Sequence, residues 1–294
     1  MRRFNLLAPQ SSRTRVGDAV GAVQIAASLY DLGESQSSAP SHFHHGIEEW
    51  VIALAGAPRV HTAAGEQTLA EGDVLCLPVG LRGLHEVTGP GRALIVSDTR
   101  DLDVVELPDR GEIIVQPPGA VIRGATSATV PAGTGPVPVN VHALPVHDDP
   151  GQPEGYRRRE AMIGPALGAE RLGASIYELD PGDASAPYHY EGVEEEWLVV
   201  LSGTPSLRDP DGEHPLATGY LVCFPIGPDG AHKVVNRSDA VARVLILSTQ
   251  PANNLSICVY PDSEKGRGLA LAGAAAADRR AARLLGRRSL NREA

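Results

Sequence analysis

The chain has 294 residues, which is long enough for two domains of ordinary size, each with a core of its own. Its net charge of −10 argues against nucleic-acid binding, and its three cysteines are too few for a disulfide framework, which indicates a reducing cytoplasm. Because 32 Gly and 24 Pro are scattered along the chain and only 4% of residues are aromatic, the composition argues against a helical bundle and predicts an all-β fold of many short strands.

The chain opens with MRRFNLLAPQSSRTR, which is basic but lacks the apolar core and cleavage site of a secretory signal. No apolar run reaches the roughly 18–20 residues of a membrane-spanning helix. We therefore expect neither a secretory leader nor a membrane partner.

The first informative segment is PSHFHHGIEEWVIALAG at residues 40–56, where three histidines and two glutamates precede an apolar run. Alternate residues of a strand face the same side, so His42 and His44 point one way and Phe43 the other. Glu49 begins the next strand, and Trp50 faces away from it. One face is therefore expected to carry ligands and the other to pack.

His85 completes this set, after the strand GDVLCLP and a turn at Pro78 and Gly80. Three imidazoles and a carboxylate from adjacent strands can converge on one divalent cation inside a small barrel, with about two positions of an octahedron open to substrate or water. Arg82, in the loop before His85, is a candidate to hold a substrate carboxylate.

The same pattern occurs again 147 residues later, which indicates an internal duplication. The ungapped identities at this offset cover almost sixty residues and include the pairs His42/His189, Glu49/Glu196, Trp50/Trp197, Gly56/Gly203, Gly72/Gly219, Cys76/Cys223, Pro78/Pro225, Gly80/Gly227 and His85/His232. We expect the paired tryptophans and cysteines to be packing residues. The remaining acids beside the ligands are interpreted as surface charges at strand ends: Glu48, Glu194 and Glu195.

These residues resemble the cupin superfamily. His42-Phe43-His44, four residues, Glu49, six residues and Gly56 match its first motif, and Gly72 to His85 matches its second. The resemblance covers about 60 residues of each copy and implies two small jelly-roll barrels in one chain, a bicupin, a class that includes oxalate decarboxylases and quercetin dioxygenases.

The resemblance implies a metal site in each copy. The first ligand set is His42, His44, Glu49 and His85; the second is His189, Glu191, Glu196 and His232. In the second copy Glu191 stands where the motif has its second histidine, so it either coordinates the metal or acts as a general base. Fe or Mn is the preferred ion, and Zn and Ni stay open.

We predict an all-β chain of two tandem double-stranded β-helix barrels. Residues 1–107 form the first barrel, 108–155 a Pro/Gly-rich connector that contributes edge strands, 156–263 the second barrel, and 264–294 a basic tail of helical composition. The tail, counted from Lys265, carries a charge of +6, against −16 for the rest of the chain. Such barrels often pair, so a homodimer is an open possibility.

The functional prediction is a metalloenzyme acting on a small oxygen-rich metabolite. The favoured reaction is that of a dioxygenase-type oxidoreductase, with Fe(II) as the ion that would bind dioxygen beside the substrate. The alternatives are a metal-dependent isomerase, epimerase or decarboxylase, and a non-catalytic module that binds a sugar or an organic acid. Glu191 and Arg82 are the candidate catalytic residues.

Overall fold

The computed structural model describes residues 1–124, 135–250, 255–263 and 268–271. These fall into two compact units. One consists of Arg2–Pro145 together with Ala161–Ile176, and is called here the first barrel. The other, the second barrel, consists of Met1, Val146–Glu160 and the chain from Tyr177 onward.

Up to residue 145 the described chain forms short strands, in keeping with its frequent Gly and Pro turns. The strands are β1 (Arg3–Asn5), β2 (Arg13–Arg15), β3 (Ile25–Leu32), β4 (Phe43–His44), β5 (Glu49–Gly56), β6 (Arg59–Thr62), β7 (Gly65–Thr68), β8 (Asp73–Leu77), β9 (His85–Thr88), β10 (Gly91–Asp98), β11 (Asp103–Leu107), β12 (Glu112–Gln116), β13 (Ala120–Arg123) and β14 (Val139–Asn140). Helix α1 spans Val16–Val20, and single 3₁₀ turns lie at Leu81–Gly83 and Pro108–Arg110.

The first barrel is built from antiparallel sheets in the orders β14-β8-β5-β10-β3-β2, β7-β6-β9 and β13-β12-β11-β4. In the central strand β5 the residues alternate between two faces, because successive side chains of a strand point in opposite directions. Val51 and Ala53 enter the barrel core, on the side of Glu49. Trp50 lies on the other face, fully buried and paired with Cys76 of β8.

From residue 146 the described chain repeats this pattern. The strands are β15 (His147–Asp148), β16 (Arg158–Met162), β17 (Leu172–Leu179), β18 (Tyr190–Glu191), β19 (Glu196–Ser202), β20 (Ser206–Asp209), β21 (Gly212–Pro215), β22 (Tyr220–Phe224), β23 (Lys233–Val235), β24 (Ala242–Thr249), β25 (Leu255–Val259) and β26 (Gly268–Leu271). Helix α2 spans Gly164–Leu167, and a 3₁₀ turn lies at Pro228–Gly230.

The central strands of the two barrels have the same neighbours. β5 lies between β10 and β8, and β19 lies between β24 and β22. Trp50 pairs with Val96 of β10, and Trp197 pairs with Leu247 of β24. The offset between equivalent residues of the two copies is 147 at the tryptophans and 151 at these partner strands. The second copy therefore carries four extra residues between its last histidine and β24.

Two of the predictions can be compared directly with these coordinates. The all-β jelly-roll fold is confirmed. The connector supplies β12 and β13 beside β11, and β14 beside β8. The compact units do not follow the predicted boundaries: the connector up to Pro145 and Ala161–Ile176 belong to the first barrel, and Met1 and Val146–Glu160 belong to the second. Of the tail predicted to be helical, the structure describes Gly268–Leu271, which forms strand β26; the rest of the tail lies outside the described residues. Among the described residues no helix is long and apolar enough to cross a membrane.

Candidate metal centre

Backbone pairing brings the ends of the first motif and the second motif together. His42 and His85 form an isolated antiparallel bridge, with N···O distances of 3.0 and 2.9 Å in the two directions. His44 lies in β4, two residues further along, and Glu49 begins β5. All four predicted ligands of the first site are therefore gathered in one region of the first barrel.

Each imidazole of this site is held through its Nδ1 atom. In His42 that atom lies 2.8 Å from the Pro40 carbonyl oxygen, and in His85 it lies 2.9 Å from the Gly83 carbonyl oxygen. In His44 it lies 2.6 Å from a carboxylate oxygen of Asp103. Because a ring held in this way donates from Nδ1, its Nε2 presents a lone pair to the barrel interior.

The three Nε2 atoms converge on one oxygen of Glu49. The distances to Oε2 are 3.8 Å from His42 and 3.3 Å from both His44 and His85. Among the described residues, the Nε2 atoms of His44 and His85 and the Oε2 atom of Glu49 are buried and have no hydrogen-bond partner. Buried polar atoms without partners are costly, and a divalent cation would satisfy all of them. The donor atoms therefore fit a metal ion.

The charges at the first site also suit a cation. Burial alone would raise the pKa of Glu49, but the nearby imidazoles of His44 and His85 outweigh it and hold that pKa well below its usual range. Burial and the neighbouring His85 lower the pKa of His42 to about 4, which leaves its ring neutral. Against the effect of burial, the carboxylates of Asp103 and Glu49 raise the pKa of His44 to about 10, so a metal ion would have to displace a proton from its Nε2 atom. The carboxylate is thus ionised and ready to coordinate.

The turn before His85 requires glycine for steric reasons. A Cβ atom on Gly83 would lie 1.9 Å from the carbonyl oxygen of Pro78. The same contact recurs in the second barrel, where a Cβ on Gly230 would lie 1.7 Å from the carbonyl oxygen of Pro225. Since the carbonyl groups of these glycines hold His85 and His232, each tight turn positions a candidate ligand.

The second barrel places its predicted set in the same way. His189 is held by the carbonyl of Pro187 at 2.8 Å and His232 by the carbonyl of Gly230 at 3.0 Å. The Oε2 atom of Glu196 lies 4.0 Å from the Nε2 atom of His189 and 3.6 Å from that of His232, without a hydrogen bond. Glu191 also approaches His189, with an O···N distance of 4.0 Å.

The electrostatics of the second set are the reverse of the first. Burial, together with the carboxylates of Glu191 and Glu194, raises the pKa of Glu196 well above its usual range. Burial lowers the pKa of His189, and burial with the neighbouring His189 lowers that of His232 further. Replacing one imidazole by a carboxylate therefore brings acids close together at the second site, and a bound cation would be needed to favour the ionised form of Glu196.

Three features of these sites had no signal in the sequence. Asp103 reaches His44 from β11, Cys258 approaches Glu191 from β25, and Tyr260 follows directly after that strand. The strand pairings that bring them in, β11 with β4 and β25 with β18, join residues far apart in the sequence. Only the register of those strands reveals them.

The interpretation of Glu48 and Glu195 as surface charges was wrong. Both side chains are almost fully buried, and each accepts a hydrogen bond of 3.0 Å from the indole of the tryptophan two residues later. The candidate Arg82, by contrast, is exposed in its 3₁₀ turn, as is Asp229 in the matching turn of the second barrel.

Asp103→Asn tests how far the first site depends on its outer partner. An amide cannot fix the Nδ1–H of His44 as a carboxylate does, and loss of such partners typically costs about 10–100-fold in metal affinity. We expect a decrease of that size for the first site, measured by competition with a chromophoric chelator. Asp73→Asn, in the same barrel but away from the site, is the control. Unchanged affinity in Asp103→Asn would show that the aspartate is dispensable.

The comparisons with known proteins agree with this architecture. The family Cupin_2, described as a cupin domain, matches residues 175–248. The oxalate decarboxylase of Lactobacillus farciminis, solved as a formate complex, is 14% identical and aligns over 85% of this chain and 86% of its own, with a TM-score of 0.52. Among curated proteins, none matches the sequence.

Two further solved structures are similar over different extents. The oxalate decarboxylase of Bacillus subtilis, in a study of its Mn(II) centres, is 14% identical over 84% of this chain and 76% of its own, with a TM-score of 0.48. A cupin-superfamily sugar phosphate isomerase of Silicibacter pomeroyi is 25% identical over 47% of this chain and 97% of its own, with a TM-score of 0.39.

The fold and its two inward-facing sets of predicted ligands define a two-barrel protein with two candidate metal centres. Residues 175–248 form a cupin domain, and the two-barrel fold is similar to that of the Lactobacillus farciminis oxalate decarboxylase.

Proposed function

We propose that the protein is a metal-dependent bicupin enzyme that acts on a small oxygen-rich metabolite by decarboxylation or isomerisation. His42, His44, Glu49 and His85 are the metal ligands of the first barrel. The observation that carries this proposal is the convergence of three Nε2 atoms on one Glu49 oxygen, at 3.3–3.8 Å, with each opposite ring nitrogen already engaged.

A divalent ion held there would act as a Lewis acid that polarises a substrate oxygen. The chain's residues contribute the rest of the chemistry. The four donors leave open positions for a chelating substrate, and the apolar residues of β5 and β8 beneath them limit access of water. Arg82, exposed in the turn before His85, is proposed to hold a substrate carboxylate.

The dioxygenase that the sequence favoured makes an additional demand. It needs a redox-active iron and a place for dioxygen beside the substrate, whereas polarisation needs only a divalent ion of the right size. The described residues of the site are imidazoles and carboxylates, which suit Mn or Fe and also accept Zn or Ni. Redox-neutral chemistry is therefore the function that the site supports more directly.

The second barrel adds a residue suited to proton transfer. Glu191 lies 4.0 Å from the Nε2 atom of His189, at the position where the first barrel has His44. A carboxylate at this distance from a coordinating imidazole can exchange a proton with a substrate bound at the metal, which is the task of a general base in isomerisation. We propose this role for Glu191 if it does not itself coordinate.

The test is turnover under controlled oxygen. Full-length protein, purified without a metal-affinity tag and loaded with Mn(II) or Fe(II), is mixed with small dicarboxylates, 2-oxo acids and hydroxyketones. Carbon dioxide release, product NMR and an oxygen electrode are followed together. Product formation without stoichiometric oxygen uptake supports the proposal. Stoichiometric uptake would establish the dioxygenase, and ligand-induced thermal stabilisation without turnover of any substrate would establish a binding module.

A further inference from the structure

Cys258 occupies a defined position relative to the second ligand set. In the first barrel β11 pairs with β4 so that Val105 lies opposite His44. In the second barrel β25 pairs with β18 so that Cys258 lies opposite Glu191. Because Glu191 corresponds to His44, Cys258 corresponds to Val105. A thiol therefore stands in the second barrel where the first has an aliphatic side chain.

The Cys258 thiol is buried among groups that bind metals. Its sulfur, a ring nitrogen of His189 and a carboxylate oxygen of Glu191 all lie within 4.8 Å of one another. Glu191 and the Tyr260 hydroxyl are both its hydrogen-bonding neighbours. The Nδ1 atom of His189 is hydrogen-bonded to the Pro187 carbonyl oxygen. The Nε2 atom is therefore the one available to a metal, and it also faces Glu196.

The other cysteines show what a packing thiol looks like in this fold. Cys76 and Cys223 lie in the matching strands β8 and β22, opposite Trp50 and Trp197. Those tryptophans lie on the strand face away from Glu49 and Glu196, so both thiols face the packing layer. Cys258 is the cysteine whose sulfur lies within ligand distance of a histidine and a carboxylate of a candidate site.

The residues around this position have changed together between the two copies. Where the first barrel pairs His44 with Val105, the second pairs Glu191 with Cys258. The imidazole is replaced, and a thiol appears opposite the replaced imidazole. The second barrel has exchanged one donor type for another at the same place.

We propose that Cys258 is a metal ligand of the second barrel, where its sulfur takes the place of the missing imidazole beside His189, Glu196 and His232. This inference rests on the proposed metal binding by the second barrel. Coordination breaks the S–H bond, forms a sulfur–metal bond and releases one proton, which Glu191 accepts and passes to solvent. A donor set of two nitrogens, a sulfur and a carboxylate oxygen suits Zn(II) or Co(II), whereas the first site suits harder ions.

The test uses Co(II), because a thiolate bound to this ion gives a sulfur-to-metal charge-transfer band in the near ultraviolet. The metal-free, full-length protein is titrated anaerobically with Co(II), and bound cobalt is counted after gel filtration. The variants are Cys258→Val, which restores the residue of the first barrel, Cys223→Ser as the matched buried thiol, and His232→Ala. Circular dichroism checks that each variant is folded. If Cys258→Val does not fold, Cys258→Ser is used in its place.

We expect two cobalt ions per chain, a charge-transfer band that is lost in Cys258→Val and kept in Cys223→Ser, and one ion fewer in His232→Ala. Zn(II) affinity of the second site should fall in Cys258→Val by about 100-fold or more, because loss of a direct ligand costs at least as much as loss of a group that supports one. Two bound ions without the band, or a band that survives in Cys258→Val, would overturn thiolate ligation and leave the proposed function standing. If one ion binds per chain and His232→Ala does not change that number, the second barrel binds no metal. If no ion binds, both proposals are overturned.

Discussion

Replacing His85 by alanine is expected to remove one metal ion per chain and to abolish turnover at the first barrel. His85 is the most deeply buried of the four donors, and its Nε2 atom lies 3.3 Å from Glu49 Oε2. Without this ring the Glu49 carboxylate faces a cavity. The two remaining histidines, His42 and His44, cannot enclose an ion. We expect the metal content of the first barrel to fall below detection after gel filtration.

The measurement is elemental analysis per chain, with His61→Ala as the control. His61 lies in β6 of the same barrel, but its ring is hydrogen-bonded to Thr88 and exposed to solvent, so its loss should leave both metals in place. The corresponding variant of the second barrel, His232→Ala, should remove only the ion of that barrel. If His85→Ala retains its full metal content, the first site is not where the ion binds.

Replacing Glu48 by alanine is expected to lower the free energy of unfolding of the first barrel by about 3–5 kcal/mol, because four donors would lose a buried charged acceptor. One carboxylate oxygen accepts from the Trp50 indole at 3.0 Å and from the Leu172 amide at 3.1 Å. The other accepts from the Glu170 amide at 2.7 Å and from the Arg171 amide at 3.4 Å. Three successive backbone amides thus surround one carboxylate, as in an anion-binding nest.

Differential scanning calorimetry should show the earliest transition shifted down by on the order of 10 °C. Glu66→Ala, an exposed acid in β7 of the same barrel, controls for the loss of charge and should leave the transition within about 1–2 °C. The transition temperature of Glu48→Gln should lie between those of Glu48→Ala and Glu66→Ala, since an amide oxygen still accepts some of the hydrogen bonds. A transition that is unchanged in Glu48→Ala would mean that water replaces the carboxylate.

The sequence was sufficient for the fold and for two clusters of predicted donors, because the duplication repeats three of the four positions of each set unchanged at one fixed offset. Alternation along a strand then indicated which neighbours face the site, as the opposite faces of Glu49 and Trp50 illustrate. Glu48, two residues before Trp50, was interpreted as a surface charge at a strand end, but it is buried and its carboxylate accepts hydrogen bonds from the backbone amides of a distant segment.

Asp103 and Cys258 could not be predicted, since each depends on which residue of a later strand pairs with β4 or β18. A shift of that register by one residue would have turned Cys258 away from Glu191. Hydrophobic alternation fixes the face of a strand but does not identify the residue that lies opposite on its neighbour. The ligand motif was therefore predictable, and the residues that support and modify it were not.

The assignment of Ala161–Ile176 to the first barrel also affects how the protein is made. Synthesis reaches residue 145 long before the amides that surround Glu48 exist, and at about 5–20 residues per second the ribosome needs roughly 1–5 seconds more to reach Leu172. Until then the Trp50 indole is in place to donate to this carboxylate, but the three backbone amides that also bind it are not. The first barrel is thus completed by a segment translated after the connector.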